Sequence, residues 1–82
     1  MNNALNTIKE VRKSLSGSSL DWAGQIVLDK MIEIIEDGIQ ADSSVEELLA
    51  KFRSNRMIAS SRNRIGEAQA WDAYVGLFND FR

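Results

Sequence analysis

Cysteine, histidine and proline are all missing from this 82-residue chain. Without cysteine there is no disulfide, no thiol nucleophile and no thiolate metal site. Without histidine, imidazole is lost both as general base and as metal ligand, the commonest choice for each. Without proline, no ring interrupts a helix, which suits long helices with short connections. Long apolar runs are lacking too, since none approaches the roughly 20 residues that would span a bilayer. The opening Met1-Asn2-Asn3 begins a polar amphipathic segment, not the charged-then-apolar pattern of a signal peptide. The expectation is a cytoplasmic protein with no membrane insertion.

Carboxylates, serines, lysines and arginines are what remains for chemistry. The acids do not form a calcium-loop pattern, and no glycine-rich phosphate loop occurs. No nucleophile stands beside a base that could activate it. The chain therefore reads as non-enzymatic, with no cofactor and no metal. Its apolar and charged fractions, 44% and 27%, are those of an ordinary globular protein. The length makes one domain, residues 1–82, near the lower size at which a single core is stable alone.

The stretch from Leu20 to Ile39 organises the rest. Wound at about 100° per residue, it gathers Val27, Leu28, Met31, Ile32, Ile34, Ile35 and Ile39 on one broad arc. Gln25, Asp29, Lys30, Glu33, Glu36 and Asp37 fill the other. An apolar arc of roughly 180° is wider than one helix partner needs, so this helix is the spine of a bundle. Before it, Ala4, Leu5, Ile8, Val11 and Leu15 mark a first helix ended by Ser16-Gly17. Ser18 or Ser19 is placed to cap the spine, with Asp21 in its first turn, and the tight connection predicts antiparallel packing. After the spine, Ser44-Val45-Glu46-Glu47 is a capping box opening a third helix with the stripe Val45, Leu48, Leu49 and Phe52. Its end lies near Arg56 or further on towards Ile58, because Ser54, Asn55, Ser60 and Ser61 are weak helix residues. A last helix runs from Ile65 to Phe81, carries four of the six aromatic residues and is expected to lie against the spine. The fold class is all-α, a compact bundle of three to four helices around a central helix at about 20–39.

Charge is distributed unevenly along the chain. Asp21 to Glu47 holds eight acids against the single Lys30, whereas Lys51 to Arg64 holds five basic residues and no acid. The arginines of that run, Arg53, Arg56, Arg62 and Arg64, suit an anionic ligand or nucleic acid, since their forks match phosphate geometry. They equally suit salt bridges to the acidic spine. The apolar pair Met57 and Ile58 within the run is more typical of a protein-binding edge than of a phosphate clamp. Trp22 and Ile26 fall on the spine's polar arc. They form either an exposed apolar spot for a partner or a patch covered by the first or last helix, and covering is expected for Ile26. The first helix is cationic and amphipathic but has no large aromatic anchor for a membrane surface.

Taken whole, the chain resembles the very small cytoplasmic accessory proteins of tailed bacteriophages, and among them the lysis-inhibition antiholins of the T-even RIII type. The likeness lies in the overall length, the Met1-Asn2-Asn3-Ala4-Leu5 start, the helical pattern and the Asn79-Asp80-Phe81-Arg82 end. It implies binding to the cytoplasmic amino-terminal part of a phage holin and delay of the membrane lesion. The leading expectation is thus a small regulator that acts by protein–protein binding through Trp22, Arg53, Arg56, Met57, Ile58, Arg62 and Arg64. One alternative is a nucleic-acid-binding module using the basic run 51–64. Another is a structural subunit whose apolar faces complete a homo-oligomer.

Overall fold

The computed structural model describes residues 1–17 and 21–82. Four helices follow one another: α1 (Asn2–Ser14), α2 (Trp22–Gln40), α3 (Val45–Ser61) and α4 (Ile65–Phe81). Among the described residues there is no strand, and the fold is an all-α bundle of four helices.

In α1, Ala4, Leu5 and Ile8 are buried and Val11 and Leu15 pack against them from the edge. Gly17 adopts the left-handed conformation, φ 84°, one position later than the C′ site expected of it, because Leu15 is the C-cap. Arg12 and Lys13 sit in the last turn, where cations complement the helix dipole. Two ion pairs fix how α1 lies on α2. Lys9 Nζ is 3.0 Å from Glu36, and Arg12 Nε donates to Asp29 at 2.6 Å. Numbers rise along α1 as they fall along α2, so the two helices are antiparallel.

The serine cap expected at Ser18 or Ser19 lies outside the described residues. Asp21 itself is the N-cap of α2, its carboxylate accepting from the Gly24 amide at 3.2 Å. The helix then buries Val27, Leu28, Met31, Ile34 and Ile35 of the expected arc, while Ile32 is half-buried at its edge and Ile39, near the end of the helix, is exposed against expectation. Gly38 is also buried, and an added Cβ there would lie 2.5 Å from Leu48 Cδ2. The missing side chain is therefore what lets α3 approach the end of α2.

Both α2 and α3 end in the same device. At α2 the amide of Ser43 donates to Gly38 O and that of Asp42 to Ile39 O, with Asp42 left-handed at φ 56°. At α3 the amide of Arg64 donates to Ala59 O and that of Asn63 to Ser60 O, with Asn63 at φ 60°. These are Schellman closures in which Asp and Asn stand where glycine is commonest. Ser44 and Glu47 form the complete capping box at the start of α3, with both bonds at 3.1 Å.

The third helix runs unbroken to Ser61. Asn55 Nδ2 bonds back to Lys51 O, and Ser61 Oγ to Ile58 O, so these polar residues satisfy themselves on the helix instead of stopping it. Ala59, buried between them, holds this half of α3 on the bundle. Phe52 stacks on Trp71 with centroids 5.8 Å apart and meets Phe78 edge-on at 5.1 Å, joining α3 to α4. Against α2, α4 comes close at Gly66, whose added Cβ would lie 3.4 Å from Ala23 Cβ. One apolar cluster runs through all four helices, and the radius of gyration is 12.1 Å, close to the ~12 Å of a packed chain of this length.

Candidate functional site

The outward face of α2 is set by its period. Because the core stripe is centred near Met31, the residues about half a turn away, Trp22, Ile26, Asp29 and Glu33, face out. Trp22 is 71% exposed and Ile26 is 39% exposed. Neither α1 nor α4 crosses over Ile26, so the expectation that it is covered fails. Both of those helices pack on the core side of α2.

On α3 the core positions are Leu48, Phe52 and Ala59. Its basic run therefore divides. Arg62 leaves on the α2 flank with Asn55 and Ile58, while Arg53 and Arg56 leave on the α4 flank with Leu49. Met57 stands between the two flanks on the outer surface, 62% exposed.

A groove of about 440 Å³ opens between α2 and α3. Its floor is apolar, made by Val27, Ala59 and the edge of Trp71 from α4. Ile26 rises from one wall and Ile58, 46% exposed, from the other. The α2 rim carries Asp29, Lys30 and Glu33, and the opposite rim carries Arg62, Arg64 and Glu67. The Schellman turn at Asn63 makes Arg62 the C-cap of α3 and Arg64 the N-cap of α4, which brings both arginines to this one end. Some of these charges are already engaged. Asp29 accepts from Arg12 Nε and Nη2, and that bond raises the Arg12 pKa above its ordinary value. Lys30 lies 3.8 Å from Glu33, and Arg64 3.8 Å from Glu67. Arg62 makes no ion pair with any described residue.

A second, smaller groove of about 220 Å³ lies between α3 and α4 over Leu49, Phe52 and Val75. Arg53 edges it, and Arg56 Nε is locked to Asp72 at 2.6 Å. Of the residues expected to bind a partner, Ile58, Arg62 and Arg64 thus share the first groove, and Arg53 and Arg56 the second. Trp22 and Met57 are exposed and line neither. Sequence reading missed Asn55, Ala59, Trp71 and Glu33 as groove residues. Ile58, Arg62 and Arg64 were the sequence signals that pointed there, whereas Ile26, an aliphatic residue on the polar arc of the spine, was noticed but expected to be covered.

Among the described residues no buried side-chain nitrogen or oxygen lacks a partner, and no group of three acids is placed to hold a metal ion. Likewise no helix is long and apolar enough to cross a membrane. The first groove offers apolar contact framed by charge, the composition of a protein-docking surface with a dry centre and a polar rim. Comparison with protein-family models, with curated proteins and with solved structures returns no match.

Proposed function

We propose that this chain is a small regulator that acts in the cytoplasm by binding another protein at the groove between α2 and α3, with no chemistry of its own. The observation that carries the reading is the pair Ile26 and Ile58, exposed on facing walls above an apolar floor and fenced by charges. Trp22, one turn before Ile26 on the same face, extends the surface. The resemblance to the RIII-type antiholins supplies the partner class, the cytoplasmic part of a phage holin. The outcome would be delayed lysis.

A pull-down of the tagged protein from its native lysate, with and without nuclease, tests this. The expected result is a discrete protein band that survives nuclease and moderate salt and is lost with Ile58→Asp. Identification of that band as a holin would support the antiholin assignment. Material that disappears with nuclease would sink the protein-binding reading.

A further inference from the structure

The four helices are not anchored equally. Among the described residues α1 packs on α2 and α4 but not on α3. Its buried side chains are Ala4, Leu5 and Ile8, with no aromatic ring, whereas Phe52, Trp71 and Phe78 interlock α3 with α4. Its first turn is weakly closed, since Met1 at the N-cap makes no side-chain hydrogen bond and no acid stands there. The ion pairs that tie α1 to the bundle, Lys9 with Glu36 and Arg12 with Asp29, both go to α2 and both lie at the surface. A helix of 13 residues is marginal in water on its own. Once α1 leaves its seat its helix melts, so undocking and unfolding of α1 are one event.

We infer that α1 is a releasable strap, which opens as a unit while α2, α3 and α4 stay packed, with Lys9–Glu36 and Arg12–Asp29 as its clips. Local opening of this kind starts at the least deeply anchored element of a domain. The aromatic contacts of Phe52 with Trp71 and Phe78 lie wholly outside α1 and survive its release. Release uncovers the apolar face of α2 and α4 on which Leu5 and Ile8 sit. It also alters the first groove. There Lys30 has Glu33, Arg64 has Glu67, and Asp29 is held by the Arg12 fork. When Arg12 departs, the α2 rim gains a free carboxylate, so the position of α1 and the charge of the groove change together. The strap stands or falls independently of the docking reading.

Native-state hydrogen exchange of the full chain, followed amide by amide by NMR, tests this. The amides of Ile8 and Val11 report α1, and those of Phe52 and Trp71 report the rest. In the unchanged chain the opening that frees Ile8 and Val11 is expected to be about tenfold or more the commoner. Arg12→Gln and Lys9→Gln should each raise the α1 opening constant about two- to fivefold, the worth of a surface ion pair. Arg56→Gln supplies the contrast, because it breaks the pair between α3 and α4, which is kept when α1 opens. It should raise the opening constant at Phe52 and Trp71 by a similar factor and leave Ile8 and Val11 unchanged.

Equal opening at all four amides in the unchanged chain overturns the inference, because the bundle then opens as one unit. So does a rise at Ile8 and Val11 in Arg56→Gln that matches the rise at Phe52 and Trp71. An α1 that opens first yet ignores both Arg12→Gln and Lys9→Gln overturns it too, since the ion pairs would not be its clips.

Discussion

Ser44 and Glu47 trade two hydrogen bonds at the start of α3, the Ser44 hydroxyl accepting from the Glu47 amide and the Glu47 carboxylate from the Ser44 amide. The bonds between these two residues hold the Glu47 pKa below its ordinary value. A carboxylate whose folded pKa lies below its unfolded one adds stability that is in place above the unfolded value. That contribution is lost as the pH falls through the folded value. Ser44→Ala removes half of the box and should cost about 1 kcal/mol of stability. In an NMR titration it should also move the Glu47 midpoint upward toward that of an ordinary glutamate. The Ser44 amide still donates to the Glu47 carboxylate in this variant, so the midpoint should stay below that of an ordinary glutamate, and an unchanged midpoint would mean that the amide bond alone depresses it. Asn63 is a second single-residue lever, left-handed at φ 60° where α3 hands over to α4. Asn63→Gly relieves the Cβ penalty of that conformation, offset in part by glycine's freedom in the unfolded chain. The expected result is a small rise in melting temperature with the helix content unchanged, and a fall would show that the asparagine side chain contributes to the turn.

At the scale of elements, Phe52 is the residue through which α3 and α4 hold together, fully buried between Trp71 and Phe78. Phe52→Ala should cost about 3–5 kcal/mol, a large share of the stability of any domain this small. Thermal unfolding followed by circular dichroism should show α3 and α4 lost cooperatively, and a shift of only a degree or two would contradict the role given to Phe52. This packing explains what could be read from the chain and what could not. The spine, the Ser44 box and the last helix from Ile65 to Phe81 were legible because each has local signals, a 3.6-residue period or a capping residue. The length of α3 was not legible, since Ser54, Asn55, Ser60 and Ser61 have poor propensity. Its far half is kept by the burial of Ala59 and the turn at Asn63. Ile26 was misjudged for a related reason. Its outward direction follows from the period, but whether a neighbour covers it depends on where α1 and α4 lie, which no local pattern encodes. The groove itself needs residues 26–33 and 55–64 side by side, a juxtaposition created by the fold.

At the scale of the molecule, the acidic spine and the basic run each find their ion-pair partners elsewhere. Lys9 and Arg12 of α1 hold Glu36 and Asp29 of α2, while Arg56 and Arg64 pair with Asp72 and Glu67 of α4, so among the described residues the salt bridges expected between the basic run and the spine are not formed. The consequence for nucleic acid is direct. A protein that tracks a phosphate backbone needs several cations on one face, and each phosphate neutralised adds about 0.9 to the slope of log affinity against log salt. Here Arg53 and Arg56 edge one groove, Arg62 and Arg64 another, and Arg56 and Arg64 already have carboxylate partners. Among the described residues each groove is thus edged by one arginine without a carboxylate partner, Arg62 at the first and Arg53 at the second. Titration against duplex DNA should therefore give weak binding at low salt, a slope of about −2 or shallower, and nothing measurable near physiological salt. Replacing Arg56 and Arg62 together should change that slope little, because the two residues stand on opposite flanks of α3. A slope of about −4 or steeper, abolished by the double replacement, would mean that the arginines act as one surface, and the protein-docking reading of the groove would then lose its first place.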